Sequence, residues 1–143
     1  VPRLVRHVAT SRPAELVWDF LADFTTEQWD PPTRQTRRTA GDGGVGTVYR
    51  NGSHLFGVDA PVTYTVVDHE PPRRLRLRGD AGRVQFLDTI EVHDVRAGRA
   101  RVDYTVQFDV RGAARVLTPL AVLAMRRVAD DAARQMGRVL DEL

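Results

Sequence analysis

Arg101-Val102-Asp103-Tyr104-Thr105-Val106-Gln107-Phe108-Asp109-Val110, followed after Gly112 by a helical pattern that runs to Leu143, decides how this chain folds. Val102, Tyr104, Val106, Phe108 and Val110 share one parity, and Arg101, Asp103, Thr105, Gln107 and Asp109 share the other. That alternation marks a strand buried on one face and wet on the other. The helical stretch behind it spans about 30 residues, or ~45 Å at 1.5 Å per residue. Leu117, Ala121, Ala124, Val128, Ala132, Met136, Val139 and Leu143 approximate a stripe along it. Pro119 either kinks this helix or marks its true beginning, with Thr118 as the cap and the proline at the first helical position.

Upstream the same period of two recurs between turn signals at Gly41-Asp42-Gly43-Gly44, Pro71-Pro72, Gly79-Asp80-Ala81-Gly82 and Ala97-Gly98. Strand cores are expected over residues 34–40, 45–56, 61–68, 74–78, 84–95 and 99–110, with Gly57-Val58-Asp59-Ala60 as a connection. Asn51-Gly52 offers an alternative tight turn. A first strand over Arg3 to Ala9 precedes a helix whose apolar face carries Leu16, Val17, Phe20, Leu21 and Phe24, with Trp18 at its flank. One further turn over Thr25 to Trp29 ends at Asp30-Pro31-Pro32.

The order is therefore β-α-(α)-β6-α, an α+β chain read as one domain over residues 1–143. Seven long antiparallel strands must twist and curl, and one long helix is the only large element left for the concave side. A single helix about 10–12 Å wide fills that side incompletely, so a cavity is expected between sheet and helix. The alanines at 121, 124, 129, 132 and 133 either enlarge this space or let the helix pack close.

Composition narrows the function. Hydrophobic residues at 42% and charged residues at 28% are globular proportions. No apolar run reaches the ~20 residues of a membrane span and no secretory leader pattern opens the chain, so stable membrane insertion is not expected and the cytoplasm is the default compartment. Without cysteine there is no thiolate nucleophile or thiolate metal site, and without lysine there is no Schiff-base chemistry. All 21 basic residues are arginine, a bias of the kind GC-rich bacterial coding sequence produces. The net charge is only +2, so long-range attraction for nucleic acid is weak. Arg74, Arg76 and Arg78 form an alternating strip without interleaved aromatics, which fits a solvent face better than a base-stacking surface.

Several motifs together resemble a known superfamily. They are Pro13-Ala14-Glu15-Leu16-Val17-Trp18-Asp19-Phe20-Leu21-Ala22-Asp23-Phe24, Trp29-Asp30-Pro31, Gly44-Val45-Gly46-Thr47, Glu70-Pro71-Pro72-Arg73-Arg74-Leu75, Asp88-Thr89-Ile90-Glu91-Val92, and Leu117-Thr118-Pro119-Leu120 after Tyr104 and Gly112. The chain is similar in these to the START-like helix-grip superfamily (SRPBCC), in particular its polyketide cyclase/dehydrase and ligand-transport branch. The resemblance implies a seven-stranded curved sheet gripping the C-terminal helix and an internal site for a lipid- or polyketide-like molecule. It does not distinguish carriers from enzymes, since similar scaffolds do both.

Asp88 is the leading candidate for chemistry. It shares strand parity with Val84, Phe86, Ile90 and Val92, so it points where apolar side chains point. A carboxyl there would act as a general acid or base on a carbonyl ligand, unless it pairs with an arginine or tyrosine or a bulge turns it outward. Tyr64 and Tyr104 lie on inward parities and either orient a ligand oxygen or satisfy a backbone carbonyl. Arg50 and His54 share a face with Val48 and Phe56 and would bring one of the two to the cavity mouth, whereas the opposite parity would send Tyr49 and Leu55 inward. Trp29, Phe86 and Met125 complete the expected lining. His7, His54, His69 and His93 show no ligand spacing, so neither a metal nor any other cofactor is implied.

Two functions follow. The first is a binding protein for a hydrophobic or aromatic small molecule; the alternative is a polyketide cyclase/dehydrase of aromatase/cyclase type, with Asp88 as its acid or base. A third class, an interaction protein using the outer sheet or helix against a partner, is the least supported, because no large exposed apolar stripe stands out.

Overall fold

The alternation in the sequence becomes a single antiparallel sheet in the computed structural model, which describes residues 1–29, 33–55, 58–96 and 98–143. The elements are β1 (Arg3–Thr10), α1 (Ala14–Ala22), a 3-10 turn over Phe24–Trp29, β2 (Thr33–Ala40), β3 (Val48–Leu55), β4 (Val58–Glu70), β5 (Arg74–Asp80), β6 (Val84–Arg96), β7 (Arg99–Val110), a second 3-10 turn over Gly112–Leu117, and α2 (Thr118–Asp141). The seven strands lie in the order β1-β7-β6-β5-β4-β3-β2. From β2 to β7 each strand pairs with its neighbour in sequence, and β1 pairs with β7, so α1 and the first 3-10 turn carry the chain from β1 at one edge of the sheet to β2 at the other. This is the α+β, helix-grip arrangement, with the curved sheet wrapped on α2.

Strand boundaries differ from expectation in one hairpin. Val58 to Ala60 already belong to β4, so they are no connection, and Asn51 and Gly52 pair with Val62 and Pro61 in mid-strand, which removes the alternative turn. Phe56 and Gly57 lie outside the described residues, as do Asp30-Pro31-Pro32 and Ala97. β3 begins at Val48 rather than Val45, because the turn before it is long. Gly41 sits there at a φ of +89°, and a Cβ on it would lie 2.6 Å from the Thr47 Cα, so only glycine fits.

The C-terminal helical stretch divides where Pro119 dictates. Thr118 is the first α-helical residue and Pro119 the second, where a missing N–H costs nothing; the cap position expected for Thr118 is occupied by Leu117. The Thr118 hydroxyl instead donates back to the Arg115 carbonyl at 2.6 Å. The buried stripe on α2 is Met125, Ala129, Ala132, Met136 and Leu140, offset from the expected one, while Leu117 is exposed. On α1 the buried residues are Val17, Trp18 and Leu21, and Leu16 faces outward. The expected helical face was rotated because Trp18 buries its large ring against the sheet, 5.9 Å from that of His69.

Polar tethers fix α2 to β1. Arg6 Nε meets Asp130 Oδ1 at 2.7 Å, and Asp141 Oδ1 accepts from the Thr10 hydroxyl at 2.6 Å and from the Ser11 N–H at 3.2 Å. Arg12 donates to the Asp141 carbonyl. On the outer sheet face His7 Nδ1 lies 2.6 Å and His93 Nε2 2.9 Å from the two oxygens of Asp103. Arg74 at one end of the arginine strip pairs with Asp68 and Glu70, in keeping with a solvent face.

The Thr10 hydrogen bond, followed by the Ser11 amide, holds the Asp141 carboxyl below the usual carboxylate range. A depressed folded-state value stabilises the fold above the ordinary value near 4 and ceases to do so as pH falls through the lower folded value. Asp141→Asn is therefore expected to lower the melting temperature at neutral pH by about 2–4 °C, corresponding to at most about 1 kcal/mol for a screened surface group. The two proteins should converge as pH falls through the depressed folded-state value; scanning calorimetry across pH checks this, and a constant difference would contradict it.

Candidate functional site

The inward parity of β7 and β6 continues across β4 and β3 and meets α2 around an internal cavity. β7 supplies Tyr104 and Val106, β6 supplies Phe86 and Asp88, β4 supplies Val62 and Tyr64, and β3 supplies Ser53. α2 closes it with Met125, Val128, Ala129 and Ala132. The alanines let the helix lie close, and the enclosed space is narrow. Water centres have about 30 Å³ available, room for about two waters.

Asp88 is 2% exposed. Its strand neighbours on the same face are Phe86 and Ile90, and across the ladders it stands opposite Leu77 and Val106. The β6 register with β5 and β7 is unbroken there, the shift in β6 and β7 coming only at Asp94 to Arg96, so no bulge turns Asp88 outward. The Tyr104 hydroxyl lies 3.5 Å from Asp88 Oδ2, a long contact for an O–H donor. Trp29 stands edge-on to the Tyr104 ring at 5.3 Å and 89°, fixing its plane.

Tyr64 is positioned by the Phe24 ring, 5.0 Å away and edge-on, and Phe24 also contacts Tyr49 at 5.6 Å. Burial pushes the Tyr49 phenol above its ordinary value, against a smaller opposing effect of a backbone hydrogen bond at Phe24. The 3-10 turn thereby plugs one side of the cavity with aromatic rings.

Six of the candidate residues named from the sequence converge here. Asp88, Tyr64, Phe86, Tyr104 and Met125 line the cavity, and Trp29 is buried behind Tyr104. Arg50 and His54 do not reach it. Arg50 is exposed and donates to the Thr63 hydroxyl at 3.4 Å, and His54 pairs on the surface with Asp59 at 2.8 Å. The β3 register explains the correction: Tyr49, Asn51 and Ser53 pair with Tyr64, Val62 and Ala60, so the inward face of β4 selects the odd-numbered residues of β3.

That parity brings in a polar group that sequence reasoning missed. The Ser53 hydroxyl donates to Asn51 Oδ1 at 2.8 Å, and Asn51 Nδ2 donates to the hydroxyls of Thr36 at 2.7 Å and Thr33 at 3.1 Å. Asn51 is 1% exposed, and this network satisfies it while leaving the Ser53 oxygen able to accept from a guest. The signal was the alternation Tyr49, Asn51, Ser53, hidden by the polarity of two of its three members. Among the described residues no three histidine or carboxylate side chains are placed to hold a metal ion.

No curated protein sequence matches the chain. Among solved structures it is similar to the Zhui aromatase/cyclase from Streptomyces sp. R1128, with a TM-score of 0.81 at 20% identity over 98% of this chain and 93% of that one. A START superfamily protein from Mycobacterium smegmatis superposes with a TM-score of 0.82 at 12% identity, covering 98% and 97%. The di-domain aromatase/cyclase BexL of the BE-7585A biosynthetic pathway gives 0.71 at 16% identity, this chain spanning 99% of itself and 46% of BexL. At these identities the likeness shows the fold, but the family model described as polyketide cyclase / dehydrase and lipid transport matches residues 2–141, and the chain belongs to that family.

Proposed function

We propose that the chain binds an apolar, ring-containing small molecule bearing at least one oxygen function, held between sheet and α2 with the oxygen at Asp88 and Tyr104. The observation that carries this reading is a carboxyl group 2% exposed in a cavity otherwise walled mainly by aromatic and aliphatic side chains. Burying an acid without a task is costly, and apolar pockets with a few convergent polar groups are the usual form of small-molecule sites. The narrowness of the cavity requires α2 or the aromatic side chains to give way on binding, because drug-sized ligands occupy about 300–1,000 Å³.

A second reading is favoured by the Asp88 and Tyr104 pair. In an aromatase/cyclase reaction Asp88 would take a proton from a methylene between two carbonyls, the carbanion would add to a carbonyl carbon of the same chain, and the acid so formed would return the proton to the resulting alkoxide; Asp88 would then take the second proton of the former methylene and pass it to that hydroxyl, which leaves as water as the carbon–carbon double bond forms. Tyr104 would orient the reacting oxygen. The fold of the Zhui aromatase/cyclase supports this alternative at the level of scaffold.

Asp88→Asn and Tyr104→Phe are expected to weaken binding of a bicyclic phenol such as 2-naphthol by about ten-fold each, the worth of a charge-assisted hydrogen bond. Titration calorimetry measures it. Unchanged affinity in both variants would overturn the placement of the ligand oxygen. If Asp88→Asn instead abolishes turnover of a poly-keto substrate while binding persists, the enzymatic reading replaces the carrier.

Cavity shape offers an independent check at Gly79, which lies opposite Tyr64 on one side and Phe86 on the other. A Cβ there would come within 2.7 Å of Tyr64 Cε1 and 3.2 Å of Phe86 Cβ. Gly79→Ala should drive the Tyr64 ring into the cavity, lowering affinity for the same phenol at least about ten-fold while costing about 1–3 kcal/mol of stability. A variant that binds normally would show that the guest sits elsewhere.

A further inference from the structure

The second 3-10 turn and the beginning of α2 carry a surface that cavity binding leaves unused. Val116, Leu117, Leu120 and Leu123 are 81%, 53%, 64% and 61% exposed, which corrects the expectation that no apolar stripe is presented to solvent. Leu117 and Leu120, with Val84, Val110, Ala114, Ala121 and Ala124, form an open apolar groove in which water centres have about 480 Å³ available, with Arg83 at its rim. Between Val110 and Ala129 the chain holds four arginines, at 111, 115, 126 and 127, and no carboxylate. Asp109 lies 3.9 Å from Arg111, but none of the described ion pairs engages Arg83, Arg115, Arg126 or Arg127.

We propose that this face docks on an anionic lipid surface, the four aliphatic side chains entering the acyl boundary while the arginines meet lipid phosphates. Exposed aliphatics on a helix start, flanked by cations of one sign, are the composition of an interfacial segment. Among the described residues no helix is long and apolar enough to cross a membrane, and the docking proposed is at the lipid surface. A second copy fits less well, because a two-fold contact through the same patch would set these arginines against their own counterparts. An acidic protein partner fits less well because the segment from Arg111 to Ala124 contains no aromatic residue or methionine to serve as an anchor. None of the exposed side chains lines the cavity, so docking and cavity binding fail independently.

Sedimentation with phosphatidylglycerol vesicles and with phosphatidylcholine vesicles tests the proposal. The protein should be retained by the anionic vesicles alone and released by salt. Arg115→Gln and Arg127→Gln should each weaken retention about five-fold, and the double variant Leu120→Ser/Leu123→Ser should abolish it, with 2-naphthol affinity and melting temperature unchanged in all. Failure to bind anionic vesicles at low salt, or retention that survives these substitutions, would overturn it. So would a homodimer in analytical ultracentrifugation that Leu120→Ser/Leu123→Ser dissolves, or salt-sensitive capture of an acidic protein without any vesicle binding.

Discussion

Everything in this molecule depends on how closely α2 can approach the concave face of the sheet. Ala129 and Ala132 are almost fully buried, and with no side chain beyond Cβ they form the helix wall of the cavity opposite β6 and β7, while α2 lies closest to β1. The same closeness that builds the core restricts the interior to a narrow space, so fold stability and guest volume are opposing demands on one contact. Met125 and Met136, unbranched and adaptable, stand on the same buried stripe, where a packing surface that must accommodate change benefits from them.

The polar groups inside are distributed with economy. Asp88 and Tyr104 approach each other on β6 and β7, toward the β1 side of the sheet, while Asn51, Ser53, Thr33 and Thr36 form a hydrogen-bonded set toward the β2 and β3 side. Between them lie Val62, Tyr64 and Phe86. An apolar guest threaded across the strands would therefore meet polar atoms at two separated positions, which selects for shape and for the spacing of its oxygens together.

Much of this was legible from alternation alone. In β7, a strand paired on both edges with clear period two, the sequence placed Tyr104 inward, and the unbroken register carried the same logic to Asp88 on β6. Where the pattern was polar on both faces, in β3, parity was ambiguous, and only pairing with β4 sent Arg50 and His54 outward and Ser53 inward. The offset of the α2 stripe has a related origin. Alanines occur on more than one side of that helix, so periodicity could not choose the buried face, and Leu117, expected on the stripe, proved to be surface just before the helix. Groove and patch arise from three-dimensional juxtaposition of helix start and strand ends, which no local pattern encodes.

The tethers between α2 and β1 at Asp130 and Asp141 have a further consequence. Among the described residues every polar link from α2 to the sheet lies in its second half, while the first half is held by apolar contacts alone. Amide hydrogens along the helix should then exchange with solvent in a gradient, fastest near Leu120 and slowest near Met136, as local opening begins where few groups must separate. A molecule built this way is a clasp with one riveted end, able to admit a guest by lifting a few turns without surrendering the fold.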